Sequence, residues 1–168
     1  MTLLTPSTEL VDELDEHGNV VGAVTRKEMR VRNLRHRSVS IAVISSRQEL
    51  LVHLRADWKD IWPSRWDLAF GGVVAAGEAW EDAAARELFE EAGVHAPLEY
   101  LGEGAFEDDH VREVARVYLA RCDGPFRHAD GEVTETRWVP LHELCGWVSA
   151  HELCPDNVAL LPPRLDSP

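Results

Sequence analysis

The chain has 168 residues, 45% hydrophobic and 28% charged, with a net charge of −13. This length predicts one domain, residues 1–168, large enough for a real core. The acidic balance argues against a nucleic-acid polymer as partner, since that needs a basic stripe, but small anions stay open because a bound cation reverses a local field.

Cys122, Cys145 and Cys154 have no scaffold spacing, so reduced thiols and a cytoplasmic location are expected. No basic segment leads into an apolar one, and no apolar run approaches about 18 residues, so neither a signal peptide nor a membrane span is expected. Residues 1–8 have little to bury and are expected to be loose. Glu9–Asp15, the turn-like His17-Gly18-Asn19 and Val20–Thr25 read as a first hairpin. Thr25 can cap a helix over Arg26–Arg30, with Glu28 three residues on as in a capping box. Arg26, Lys27, Arg30, Arg32, Arg35 and Arg37 form a basic run, either a solvated face and linker or a rim that attracts phosphate.

Ser38–Ser45 reads as a buried strand, and the turn Arg47-Gln48 leads into a second strand, Glu49–Leu54. The stretch from Arg55 to Phe70 is too irregular for one element. Pro63 biases Trp62 away from helix, and Trp66–Phe70 is a short strand feeding a glycine loop. Further on, Leu98–Glu107, Val111–Arg121 and Glu132–Val139 read as strands, with Asp123-Gly124-Pro125 as a break and Pro140 as a stop. Leu141–Trp147 and Ala150–Leu153 are expected to be helical, and a Pro-rich tail from Leu161 irregular. Strands before and after one central helix predict an α/β fold, a mixed sheet with helices on its faces.

That central helix spans Trp80–Ala92. At about 100° per residue, Trp80, Ala84, Ala85, Leu88, Phe89 and Ala92 fill one broad side, interrupted by Glu81. Glu87 and Glu91 lie one turn apart at the edge of that arc, with Glu90 beside them. Like charges at this spacing cost a helix about 0.2–0.5 kcal/mol per pair. A solvated acidic face is the plain explanation. A hard divalent cation is the functional one, because Mg²⁺ takes oxygen ligands and shares them with substrate phosphates. The loop before the helix favours the second reading. Gly71-Gly72 and Gly77 permit close backbone approach, Glu78 sits where a helix N-terminus favours negative charge, and Arg86 can orient or neutralise the cluster.

Gly72, Glu78, Arg86, Glu87, Leu88, Glu90, Glu91, Gly93 and Val94 fill every specified position of one pattern, and in this the stretch resembles the signature of the Nudix hydrolases. The resemblance implies an α/β/α sandwich with a mixed sheet and a small N-terminal β-extension. It implies Mg²⁺ or Mn²⁺ held by Glu87, Glu90 and Glu91 with the Gly71 carbonyl, Glu91 being a principal ligand, and no organic cofactor. Arg86 and Glu78 would orient the cluster, while Glu87 or a downstream carboxylate acts as base. The implied substrate is a small molecule with a diphosphate linkage, of the nucleoside-diphosphate type. The outer sequence (the N-terminal strand pair, LRHRS before a core strand, the K-D-x-W-P loop) resembles the isopentenyl-diphosphate isomerase branch. Those isomerases use a cysteine just before the helix and a histidine two residues later, where this chain has Gly71 and Val73. Hydrolase chemistry is therefore the leading expectation, with an isomerase-like enzyme or a non-catalytic ligand sensor as alternatives.

Glu107-Asp108-Asp109-His110 reads as a turn. Glu113 and Glu132 are candidates for the downstream carboxylate, either as base or as an extra metal ligand. Alternation along Val111, Glu113, Ala115 and Val117 puts Glu113 on one strand face and favours it. His36 reads first as a core-edge histidine, with a phosphate contact or a ligand as alternatives. Arg55, Lys59, Trp62 and Trp66 surround the irregular loop, as core or as groups that stack on a flat moiety and hold phosphate. HELC occurs at His142–Cys145 and His151–Cys154. Its ligand types suit zinc but its spacing fits no usual framework, so zinc is not expected. An exposed apolar N-terminal hairpin would favour a homodimer.

Overall fold

Residues 8–165 are described by the computed structural model. The organising element is β3 (His36–Ile44), nine residues long and buried along almost its whole length. One edge of β3 pairs in parallel with β8 (Arg112–Arg121), from His36 opposite Glu113 to Ile44 opposite Arg121. Its other edge changes partner. Ser38–Ile41 pair antiparallel with β6 (Phe70–Val73), whereas β4 (Glu49–Arg55) is met only where Ile44 faces Leu50. The sheet therefore divides beside β3. β4 carries β5 (Trp66–Asp67) and β9 (Val133–Pro140), and β7 (Leu98–Glu107) closes the far edge against β8.

Alternation along β3 supplies both cores. Val39, Ile41 and Val43 meet Ala83, Ala84, Leu88 and Ala92 of helix α2 (Trp80–Ala92). Ala42 and Ile44 join Ala115, Val117 and Leu119 of β8 under the C-terminal helices. The result is helix, mixed sheet, helix, the predicted α/β/α sandwich. Truncating Leu88, which is fully buried at the centre of the first core, falls in the class that costs about 2–5 kcal/mol. Among the described residues no helix is long and apolar enough to cross a membrane.

The N-terminal extension is the predicted hairpin, β1 (Leu10–Leu14) with β2 (Val20–Thr25), and it grips the glycine loop. Ala76 N–H donates to the Leu10 carbonyl at 2.8 Å. Arg37 donates to Asp12 Oδ2 at 2.6 Å and to the carbonyls of Ala75 and Glu78 at 3.2 and 3.1 Å. In α1 (Arg26–Val31), Thr25 Oγ1 accepts from Glu28 N–H at 3.1 Å, which is half of the expected capping box. The Glu28 carboxylate goes to Arg32 instead, at 2.6 Å. Leu10, Val20 and Val21 are exposed. The expectation of a loose start lies, for residues 1–7, outside the described residues.

Four sequence expectations need correction. The strand expected at Ser38 begins at His36, because pairing with β8 extends to Glu113. The strand expected over Trp66–Phe70 is two strands, since the Asp67 carboxylate accepts Ala69 N–H at 3.4 Å and turns the chain at Leu68-Ala69. After a 3₁₀ turn at Leu141–Glu143, α3 runs from Leu144 to Ala150, while His151–Leu153 is not helical: Leu153 bridges to Trp66. Over residues 161–165 the supposed tail is ordered, and for residues 166–168 that expectation lies outside the described residues. Pro155 starts α4 (Pro155–Leu160), Leu161 is fully buried, and α5 (Pro162–Leu165) follows. Apolar pattern alone could not find these one- and two-turn helices, because tertiary burial holds them.

His53 of β4 is buried and stacks on Phe70 at 4.5 Å between centroids. Burial pushes its imidazole down to about 4 from 6.5, with Asp67 opposing the shift. The unfolded chain then binds the proton more readily than the folded one, so the stability from neutral His53 is full above about 6.5 and is lost as pH falls toward 4. Between pH 7 and 4 the wild type should lose about 3 kcal/mol relative to His53→Phe. Urea unfolding of both proteins across that range checks it, and parallel pH profiles would refute it.

Candidate active site

Two glycines define the site by leaving no room. A Cβ on Gly71 would stand 1.9 Å from the Val39 carbonyl oxygen of β3, and one on Gly72 would stand 2.7 Å from the Glu87 carboxyl. The bare backbone therefore lies between β3 and α2, and the helix carboxylates reach it directly. Gly71 N–H donates to Glu91 Oε2 at 3.0 Å. Gly93 ends α2 in the left-handed conformation, φ 70°, against the carbonyl of Arg127, which explains the glycine at that position of the signature.

Arg86 ties the cluster together. Its Nε and Nη2 donate to the two Glu78 oxygens at 2.9 Å each, and its Nη1 donates to Glu87 Oε1 at 2.6 Å and to Glu90 Oε2 at 3.4 Å. Glu78 Oε2 also accepts Ala75 N–H at 3.0 Å, so one fork fixes both the loop and the helix. The paired Glu78 raises the Arg86 guanidinium above its ordinary value. Burial acts to raise Glu78, yet the hydrogen bonds from Arg86 and Ala75 N–H and the Arg86 charge together lower its carboxyl. Glu87 goes the other way, raised by burial despite Arg86. Glu91 is raised well above the ordinary value, first by burial and then by the Glu87 charge.

Glu87, Glu90 and Glu91 line a cavity with Gly71 and Gly72, and Arg26, Lys59, Asp130 and Glu132 face them. Glu90 is the outermost, with half its side chain in solvent. Lys59 pairs with Glu132; burial acts to raise the Glu132 carboxyl, but the hydrogen bond and the charge of Lys59 together lower it. All donors here are hard oxygens. Among the described residues no acidic or imidazole group is closed into a ready-made metal cage. An open, carboxylate-lined wall suits Mg²⁺ or Mn²⁺ of this use, since such a cation keeps waters and takes phosphate oxygens from its substrate.

The structure thus brings together Glu78, Arg86, Glu87, Glu90, Glu91 and Gly71, and adds Lys59 and Glu132. Of the two downstream carboxylates, Glu132 lines the cavity with Glu87 and Glu90. Glu113 faces a second, deeper cavity, together with His36, Arg55 and Trp62, because the face of β8 it occupies is the one beneath α4. His36 is buried, its Nδ1 is 3.0 Å from the Leu34 carbonyl, and burial pushes it down to about 4, so it is neutral and offers no cation to phosphate. Trp66 packs edge-on against Trp147 at 5.4 Å and belongs to the core side.

The basic run divides. Arg26 and Arg30 line the cavities, while Arg32, Arg35 and Arg37 pair with Glu28, Glu107 and Asp12. In the two HELC segments, His142 is exposed and His151 stacks on Trp147 at 4.1 Å. Sequence reasoning missed Asp67, Asp130, Asp156 and Asn157. The last two sit between the helical segment ending at Leu153 and the tail from Leu161, a stretch to which the sequence reading assigns no element and where no periodicity marks them.

A family model described as the NUDIX domain matches residues 34–162. PA4841 of Pseudomonas aeruginosa, named an uncharacterized Nudix hydrolase, is 36% identical over 160 residues, covering 95% of each chain. YfcD of Escherichia coli strain K12, named likewise, is 35% identical over 139 residues, 82% of this chain and 77% of its own. Among solved structures, DR0079 from Deinococcus radiodurans aligns with a TM-score of 0.79 at 25% identity, covering 95% of this chain and 100% of that one. The NUDIX domain of Shewanella oneidensis NrtR shares the fold at a TM-score of 0.63 and 20% identity, over 84% of this chain and 97% of that one. A complete signature, folded so that its glycines admit its carboxylates, agrees with these likenesses along nearly the whole chain: the protein belongs to the Nudix hydrolases, enzymes that act on pyrophosphate bonds.

Proposed function

We propose that the protein is a Mg²⁺- or Mn²⁺-dependent pyrophosphohydrolase that cleaves the diphosphate linkage of a nucleoside-diphosphate-type small molecule. The observation that carries this reading is the pair Glu87 and Glu91, buried against Gly71-Gly72 with both carboxyls raised, on the wall of a cavity that Arg26 and Lys59 face. Two adjacent buried carboxylates are costly without a compensating cation. Glu87, Glu91 and the Gly71 carbonyl would hold it, with Glu90 on the outer side. When bound, the cation screens the diphosphate charge and lowers the pKa of water.

The chain's own residues do the rest. Arg26 and Lys59 align the phosphate oxygens, and Arg86 keeps Glu87 in one orientation by holding Glu78 and Glu87 at once. Glu132, kept ionised by Lys59, or Glu87 takes the proton of the attacking water, a contribution of about 10²–10⁴-fold. The net charge of −13 favours a small substrate over a polymer, and the three free thiols favour a cytoplasmic setting. A NUDIX domain of the same fold has been crystallised with ADP ribose. The isomerase reading meets a steric objection: the cysteine it needs at position 71 would drive its Cβ into the Val39 carbonyl.

Glu91→Gln should reduce hydrolysis by at least about a thousandfold without unfolding the protein. A screen of diphosphate compounds with Mg²⁺ or Mn²⁺, products identified by mass, together with thermal melts, checks this, and an active variant would overturn it. Gly72→Ala should displace the Glu87 carboxyl and weaken Mn²⁺ binding about 10–100-fold. Gly71→Ala meets backbone instead and should cost about 1–3 kcal/mol of stability. Mn²⁺ titration and melting of both proteins separate the two effects; Gly72→Ala with unaltered Mn²⁺ affinity would contradict the assignment.

A further inference from the structure

Glu91, the more deeply buried of the two carboxyls at Gly71-Gly72, stands on the last turn of α2, one residue before its end. That is a weak place on a helix. The carbonyls of a last turn have no partner within the helix, so the turn frays unless something outside holds it. α2 carries no basic side chain in that turn to do so. Gly93 N–H returns to the Phe89 carbonyl at 2.9 Å, which leaves the carbonyls of Glu91 and Ala92 to be met from elsewhere.

Residues 122–132, the connection from β8 to β9, meet both. The connection is fixed at each end: Cys122 N–H donates to the Ile44 carbonyl of β3 at 3.1 Å, and the Glu132 carbonyl accepts Ala56 N–H at 2.9 Å. Between these anchors, Arg127 N–H donates to the Ala92 carbonyl at 2.9 Å, and His128 Nδ1 lies 2.6 Å from the Glu91 carbonyl oxygen. A carbonyl only accepts, so Nδ1 carries the proton there. Gly93 makes the approach possible, since a Cβ at that position would stand 2.7 Å from the Arg127 carbonyl. The same imidazole lies nearly parallel to Phe70, at 13° and 6.2 Å between centroids, and Phe70 immediately precedes Gly71. One side chain thus faces the strand that carries Gly71 and grips the turn that carries Glu91. Between those two residues runs the hydrogen bond from Gly71 N–H to Glu91 Oε2. Two and four residues beyond His128, Asp130 and Glu132 enter the cavity of the acidic cluster.

We propose that His128 is a positioning residue for the cation site: its Nδ1–H holds the Glu91 carbonyl, and the Glu91 carboxylate thereby stays in place at Gly71. This role rests on the hydrolase reading for its cation. His128 itself stands behind the helix turn and acts through Glu91, and partners of that kind change metal affinity about 10–100-fold when removed. Its two contacts can be separated by substitution. Asn sets its amide nitrogen where His sets Nδ1, one bond beyond Cγ, and so keeps the donor without the ring. Phe keeps the ring against Phe70 without the donor.

The test combines Mn²⁺ titration, read by the spin resonance of the free ion, with the Gly71 amide proton signal of the metal-free protein. His128→Phe should weaken Mn²⁺ binding about 10–100-fold, move the Gly71 amide upfield and speed its exchange with solvent. His128→Asn should stay within about threefold of the wild type in Mn²⁺ affinity and keep the Gly71 signal. Leu144→Ala, which lowers stability from the opposite core, should leave both readouts unaltered. Three results would overturn the proposal: readouts indifferent to His128→Phe, a loss that His128→Asn does not restore, or an equal loss in Leu144→Ala. The second would reduce His128 to a packing group, and the third would make affinity a mere reflection of stability. A wild type that binds no Mn²⁺ would count against the cation reading alone, and the Gly71 amide would then decide the role of His128 by itself.

Discussion

The structure depends on one close approach, that of α2 to the backbone at Gly71-Gly72. Only glycine fits at position 71, where a Cβ would meet the Val39 carbonyl, and at position 72 a Cβ would push the Glu87 carboxyl aside. Small side chains on the inner face of the helix, Ala83, Ala84 and Ala92, allow the same approach along its length. Glu87 and Glu91 are consequently pressed between helix and strand, where desolvation raises their carboxyls. On an ordinary acidic helix they would stand in water. Arg86 is the local answer to that cost, and its hold on Glu78 makes the loop and the helix a single rigid piece.

The division of the sheet follows from the same place. β3 gives its edge to β6 over Ser38–Ile41, so β4 can join it only at its far end. The loop after β4 brings Lys59 and Trp62 to the opening, and β9, paired with β4 along its length, begins where Glu132 reaches Lys59. Residues far apart in the chain thus meet across a gap in a sheet that would otherwise be continuous. The N-terminal hairpin closes the near side through Arg37, which holds Asp12 and two carbonyls of the glycine loop.

The signature helix and β7 were legible because they are long and their information is local: spacing, caps and composition lie within a dozen residues. Glu78, Arg86, Glu87, Glu90 and Glu91 were legible as a set for the same reason. Strand alternation alone favours Glu113 over Glu132, but the choice depends on which face of the sheet each strand presents, and that is set by pairings with β3 and β4. Asp156 and Asn157 were invisible. α4 is six residues long and holds its place by burying Leu160 and by the bonds of Asn157 to Ser40 and Asp67, at 2.8 and 2.7 Å. No periodicity within such a short segment announces contacts made with strands about ninety residues or more away.

The two central strands carry a further lesson about where polarity is tolerated. On the face toward α4, β3 presents His36, Ser38, Ser40, Ala42 and Ile44 in order, and β8 presents Glu113, Ala115, Val117 and Leu119. Both rows run from polar to apolar, and because the strands are parallel and in register, their polar ends coincide. In an antiparallel pair the same sequences would have put charge at opposite ends and left each exposed to an apolar neighbour. Stability alone favours continuing the apolar rows to the end of the sheet, since each unpaired buried group costs about 1–3 kcal/mol. The polar ends lie beside the glycine contact, within reach of Glu91, and the apolar ends lie away from it under Leu144 and Leu160. The parallel pairing of β3 with β8 therefore divides the layer beneath α4 in two, an apolar half that holds the helices and a polar half that lines the second cavity.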